Sequence, residues 1–190
     1  MKKIVVFASG SGTNAENIIK YFANKNSATV VAVFTNNSNA KVIDKASNLK
    51  VSSEIFSKNE LLEDKVLEKL NIINPDLIVL AGFLLKFPES IIENYQNKII
   101  NIHPALLPKY GGKGMYGMNV HKAVVANQEK ESGITIHYVN ENYDEGNIIF
   151  QESFPLLGNE TPDDVAEKIH ELEQKYFPEV IEKIITQDLN

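Results

Sequence analysis

Residues 2–14, KKIVVFASGSGTN, read as a buried strand that runs straight into a glycine-rich turn. Ile4-Val5-Val6-Phe7-Ala8 is apolar without alternation and rich in β-branched and aromatic side chains, as a strand covered on both faces requires. Ser9 to Asn14 then opens a helix over about Ala15–Asn24, in which Ile18, Ile19 and Phe22 fall on one stripe. The same alternation recurs outward from this unit. Further strands are expected at Thr29–Thr35, Val51–Phe56, Asp76–Ala81 and Lys98–Ile102. Between them lie helices at about Ala40–Asn48, from Ser57 or Asn59 through Asn71, and at Pro88–Tyr95 with Pro88 in its first position. Strand and helix in this order imply parallel pairing through right-handed crossovers. The expected class is therefore α/β, a doubly wound, mostly parallel, Rossmann-like open sheet with helices on both faces.

The pattern changes after Pro104. Gly111, Gly112, Gly114 and Gly117 make a long loop ahead of a helix near Val120–Ala126. Gly133–Val139 alternates apolar and polar positions, and Ile148–Phe154 follows across Asn140–Asn147, which suggests a strand pair that extends the sheet. A last amphipathic helix is expected from about Thr161 to Thr186, interrupted by Pro178. At 190 residues the chain is read as one domain, 1–190.

Composition excludes several kinds of chemistry. With no cysteine there are no disulfides, thiol nucleophiles or thiolate metal ligands, and the four histidines, His103, His121, His137 and His170, are scattered, so no metal is expected. All 19 basic residues are lysine and the net charge is −6, so anions must be held by backbone N–H groups or Lys, and nucleic acid is not an expected partner. No apolar run approaches the roughly 18 residues of a membrane span, and the start lacks the apolar segment and cleavage site of a signal peptide. A cytoplasmic location and no membrane partner are expected. Oligomeric state stays open, with room for a homodimer.

Ligands of open parallel sheets bind beyond the carboxyl ends of the strands, and three loops there carry chemistry. Ser9–Asn14 offers glycines and free N–H groups at a helix start, suited to a phosphate or simply to a tight turn; it lacks the third glycine of the dinucleotide fingerprint and the Walker lysine. Asn101 and His103, two apart at a strand end, share one face, where an amide and an imidazole could stabilise an oxyanion and move a proton, or merely cap the strand. Asp144, in Asn142-Tyr143-Asp144-Glu145-Gly146, could face that imidazole and raise its pKa, or sit in an ordinary turn. His137 is expected to be packed or on a solvent face, and His121 to lie on the surface. His170 stands one turn before Glu173, on a common helix face that is solvated by default.

SGSGTN (9–14), LAGF (80–83), NIHPALLPKY (101–110), GITIHYV (133–139) and YDEGNIIFQ (143–151) occur in one order, and together the chain resembles the folate-dependent formyltransferases over essentially its whole length. Within that family its size is similar to the glycinamide ribonucleotide branch, since there is no room for the extra domains of other members. The resemblance implies formyl transfer from 10-formyltetrahydrofolate, a co-substrate, to the amine of 5′-phosphoribosylglycinamide in purine synthesis, without a metal and with small molecules as partners. It implies Asn101, His103 and Asp144 as the catalytic set, Gly12, Thr13 and Asn14 under the substrate phosphate, and Glu173 on the ribose hydroxyls. For the folate it implies Leu84, Leu85, Lys86 and Phe87, with Asn101 and the loop of Asn140, Glu141, Asn142, Tyr143 and Asp144. Asn59, or else Lys58, aligns with an arginine of many members and Leu85 with another; Gly111–Asn119 is longer than in enterobacterial or animal relatives and forms either a lid or a surface excursion. A non-catalytic phosphate or nucleotide binder and a formyltetrahydrofolate hydrolase are the alternatives.

Overall fold

The computed structural model describes residues 1–187. Seven strands form one sheet in the order β3-β2-β1-β4-β5-β6-β7, with β1 Lys2–Phe7, β2 Ala28–Thr35, β3 Ser52–Ile55, β4 Leu77–Leu80, β5 Ile99–His103, β6 Glu131–Tyr138 and β7 Ile148–Pro155. The first five pair in parallel; β6 runs antiparallel to β5, and β7 to β6. The helices are α1 Thr13–Phe22, α2 Val42–Asn48, α3 Lys58–Leu62, α4 Lys65–Ile73, α5 Glu89–Asn94, α6 Met118–Ala126 and α7 Pro162–Gln187. The expected doubly wound sheet and its antiparallel extension are both present.

Strand β1 shows why the unbroken apolar run decides the architecture. Ile4, Val5, Val6 and Phe7 are all fully buried, yet successive side chains leave on opposite faces. Ile4 and Val6 join the layer built by Ala15, Ile18 and Phe22 of α1 and Ile169, Phe177 and Ile181 of α7. Val5 and Phe7 join the other layer, with Leu61, Val66, Leu70 and Ile91 of α3, α4 and α5. Each such fully buried side chain contributes about 1.5–3 kcal/mol of transfer free energy, which makes this strand the seam of the fold.

Three expectations are corrected. The helix foreseen from residue 57 to 71 is two helices, because Asp64 adopts a left-handed φ of 59° between α3 and α4. Pro88 is the N-cap of α5, with extended ψ of 147°, rather than its first turn. Pro178 does not interrupt α7, which runs from 162 to 187 with the proline inside. A proline at 178 deprives the Gln174 carbonyl of its helical donor. That carbonyl instead accepts a hydrogen bond of 2.7 Å from Asn17 Nδ2 on α1, so the lost bond becomes a tie between helices.

The chain leaves β1 toward β2 and β3 on one side, then returns to place β4 and β5 on the other. The crevice between the carboxyl ends of β1 and β4 is thus the topological switch point where such sheets bind ligands.

Candidate active site

A cleft of about 700 Å³ opens at this switch point, walled by the loops after β1, β4, β5 and β6 and by α7. At one end, Gly10–Asn14 lines it just before and at the start of α1. Gly12 is the N-cap with φ 68°, and a Cβ there would run into the Val42 side chain and come within 2.8 Å of its Cα. Only glycine meets both demands, and the first N–H groups of the helix are left without side-chain caps. Asn14 Nδ2 donates to Glu173 Oε2 at 2.9 Å, while Gln174 Nε2 donates to Asn14 Oδ1 at 2.8 Å, so α7 fixes the amide on both sides. His170, one turn back, has Nδ1 3.9 Å from Glu173, whose carboxylate raises its pKa.

The opposite wall is the segment after β4. Phe83 and Phe87 rest edge-on against Phe7, with ring centroids 5.4 and 4.9 Å away, which holds Leu84, Leu85 and Lys86 between two aromatic anchors along the cleft. The Leu84 N–H is already used, donating to Ser9 Oγ at 3.0 Å.

The opposite end from the glycine loop is assembled from β5, β6 and the loops that follow them. The β5–β6 register places Asn101 opposite His137 and His103 opposite Thr135, all on one face. His103 is 3% exposed, and its Nε2 lies 2.7 Å from the Tyr110 carbonyl, which can only accept; Nε2 therefore carries a proton. Nδ1 is left facing Asp144 Oδ2 at 3.6 Å. Asp144, in the β6–β7 connection at φ 57°, also accepts from the Gly112 N–H at 2.9 Å and stands 3.6 Å from His137 Nε2. His137 Nδ1 bonds the Tyr138 carbonyl at 2.9 Å, so Nδ1 holds its proton and Nε2 accepts from Asn101 Nδ2 at 3.1 Å. One N–H of the Asn101 amide is thereby oriented and the other is left for a ligand.

Thr135 Oγ1 and Gln151 hold the loop that follows. The hydroxyl donates to the Ala105 carbonyl at 2.7 Å and accepts from the Leu107 N–H at 3.0 Å, and Gln151 Nε2 donates to the Leu107 carbonyl. Farther along, Tyr110 takes a left-handed φ of 58°, a strained conformation for an aromatic residue. Its hydroxyl donates to Glu129 at 2.8 Å and accepts from Asn127 at 2.9 Å, so the ring end is pinned while the carbonyl orients His103.

Electrostatics here departs from the expectation that Asp144 leaves His103 with a raised pKa. Burial is the largest influence on His103 and lowers it; Asp144 is the strongest opposing influence, and the net direction is down. Burial pushes Asp144 up, but the hydrogen bonds and charges around it, the Gly112 N–H among them, bring it below its ordinary value. The resting site is thus a neutral imidazole beside an ionised carboxylate.

The cleft brings together Gly12, Thr13, Asn14, Leu84, Leu85, Lys86, Phe87, Asn101, His103, Asn140, Asn142, Tyr143, Asp144 and Glu173. It does not include Glu141 or Asn59; Asn59 is exposed on α3. Three residues of the site had no functional role from the sequence: Tyr110, His137 and His121. His121, expected at the surface, is 5% exposed and lines the cleft, with burial lowering its pKa. The stripe Val120, His121, Val124 at helical spacing was the available signal for its burial. His137 could be placed only once its strand was known to pair with Asn101.

The model of the formyl transferase family matches residues 2–181. The chain belongs to this family. It is 34% identical over 191 residues to phosphoribosylglycinamide formyltransferase of Bacillus subtilis, covering 97% of this chain and 95% of that one. It is 35% identical to the chloroplastic phosphoribosylglycinamide formyltransferase of Arabidopsis thaliana, but spans only 64% of that protein's length against 95% of its own. The crystal structure of phosphoribosylglycinamide formyltransferase from Anaplasma phagocytophilum superposes with a TM-score of 0.89 at 30% identity, covering 98% of this chain and 88% of that one. Among the described residues no group of three or more His, Cys, Asp and Glu is placed to hold a metal, and no helix is long and apolar enough to cross a membrane.

Proposed function

We propose that this formyl transferase moves the formyl group of 10-formyltetrahydrofolate to the amine of 5′-phosphoribosylglycinamide, with Asn101, His103 and Asp144 as catalytic residues. What carries this reading is the 3.6 Å gap between His103 Nδ1 and Asp144 Oδ2, in a cleft that has a helix N-terminus at its other end. The gap is too long for a direct hydrogen bond, and Asn101 shares the strand face of His103, so a small oxygen can sit among the three groups.

The substrate phosphate rests on the backbone of Gly12, Thr13 and Asn14, where N–H groups and the helix dipole replace the absent arginines. Glu173 accepts from the ribose hydroxyls. The pterin lies along Leu84–Phe87 and the 140–144 loop. Attack of the amine on the formyl carbon forms a C–N bond and turns the carbonyl oxygen into an oxyanion. Asn101 donates to that oxygen, and so does His103 through Nδ1, because Nε2 is committed to Tyr110. The resting imidazole lacks a proton on Nδ1; negative charge developing beside it, added to that of Asp144, makes protonation favourable as the oxyanion forms. The tetrahedral centre then collapses, the bond to N10 of the folate breaks, and the proton lost by the attacking amine is passed to N10 by way of Asp144 and His103.

The test is loss of 10-formyltetrahydrofolate, followed by absorbance, with and without the ribonucleotide. Loss that requires the ribonucleotide is the expected result. Loss without it would assign hydrolysis instead, and no loss in either case would leave a phosphate binder.

A further inference from the structure

Ser9 stands two residues past the end of β1, at the start of the glycine loop, and it is 8% exposed. Its hydroxyl donates to Asn36 Oδ1 at 2.7 Å, beyond β2, and accepts from the Leu84 N–H at 3.0 Å, beyond β4. Its own N–H donates to the Gly82 carbonyl at 3.0 Å. The left-handed φ of 73° at Gly82 turns the chain so that both bonds close on one residue. Among the described residues, the hydrogen bonds that join residues 9–14 to residues 82–87 all begin or end on Ser9. Other ties of this loop go elsewhere, among them Asn37 Nδ2 to the Ser9 carbonyl, the Val42 N–H to the Gly10 carbonyl and the Asn14 amide to Glu173 and Gln174 of α7.

We infer that Ser9 is a positioning residue that couples the ribonucleotide end of the cleft to the folate end. This rests on the assignment of those two ends made above. The hydroxyl is a relay with one donor and one acceptor, so a bond strengthened on one side polarises the bond on the other. A phosphate captured by Gly12–Asn14 fixes the loop that starts at Ser9. The Leu84 N–H then meets a hydroxyl whose place is already set, and the segment Leu84–Phe87 loses less freedom when a pterin docks on it. The two ligands therefore bind more tightly together than apart, by reciprocal factors.

The experiment is calorimetric titration of tetrahydrofolate into the full chain, with and without glycinamide ribonucleotide, a pairing that cannot turn over. For the unmodified chain the ribonucleotide is expected to tighten folate binding about five- to tenfold, a typical coupling between sites. Ser9→Ala should bring that ratio to within about twofold of unity while the melting transition stays cooperative. If Ser9→Ala does not fold, Asn36→Ala is read in the same way, since it leaves the hydroxyl on Leu84 but removes its 2.7 Å anchor. A variant that folds and keeps the full ratio overturns the inference, as does a ratio of one in the unmodified chain. Failure of the unmodified chain to bind either ligand removes the assignment of the two ends and this inference with it.

Discussion

The two ends of the cleft are built from different materials. The proposed phosphate cradle at the Gly10–Asn14 end is made of backbone, contributed by one contiguous stretch whose shape depends on Gly12 at φ 68°, with Glu173 of α7 beside it. The catalytic end is made of side chains, Asn101 and His103 from β5, His137 from β6 and Asp144 from the β6–β7 connection, with the Tyr110 carbonyl reaching back. A backbone cradle tolerates change in any side chain that does not alter its path. A side-chain constellation fails with any one member, because each member fixes the proton position of the next. Substitutions should therefore act on affinity at the first end and on rate at the second.

The largest effects are expected at the side-chain end. His103→Ala and Asp144→Asn should each lower kcat by about two orders of magnitude or more, the usual scale for general acid–base groups, with KM for both substrates little changed. Asn is the apt replacement because it tolerates the left-handed backbone at 144. Steady-state kinetics checks this, and full activity in either variant would end the assigned roles.

Proton position gives a second way to sharpen the contrast. The His103 ring, read by NMR, should titrate below 6.5, because burial outweighs the pull of Asp144. In Asp144→Asn it should titrate lower still, since the chief raising influence is gone. A midpoint above 6.5 in the unmodified chain would contradict this balance. The sign for stability follows: with the folded value below the unfolded one, the contribution of neutral His103 is complete above about 6.5 and is lost as pH falls toward the folded value.

At the backbone end, Gly12→Ala forces a Cβ onto Val42 and places an L side chain at positive φ. A loss of about 1–3 kcal/mol in stability is expected, as for overpacking, together with a raised KM for the ribonucleotide and a smaller change in kcat. Thermal unfolding and kinetics on the same preparation test both; a purely kcat effect would erase the distinction between the two ends.

The same division explains what the sequence made legible. The strand Lys2–Phe7, the glycine turn and the helix that follows are local, so their roles can be read from composition and spacing. The pairing of His103 with Asp144 follows from the family resemblance, since residue type alone leaves an ordinary turn open at 144. His137 could not be placed, because its partner Asn101 is 36 residues away and meets it only through antiparallel register. Tyr110 contributes a carbonyl, which no side-chain pattern reports. The direction of the His103 shift also escaped, since burial is a property of the packed site and outweighs the neighbouring charge.

The smallest expected effect concerns Pro178, which lies inside α7 although a proline there reads as a helix break. The Gln174 carbonyl that the proline leaves without a helical donor is satisfied by Asn17, on the same residue whose side chain orients Asn14. Asn17→Ala should cost about 1 kcal/mol, because a partly buried carbonyl loses its partner. Pro178→Ala restores an N–H at 178 that can close the ordinary helical bond, so in that background Asn17→Ala should cost less. The two changes are then non-additive, with an interaction of about 0.5–1 kcal/mol read from urea unfolding of the four chains. Strict additivity would mean that the proline and the asparagine are unrelated. It would also leave the seating of α7 on α1, and with it the placement of Glu173, to apolar packing alone.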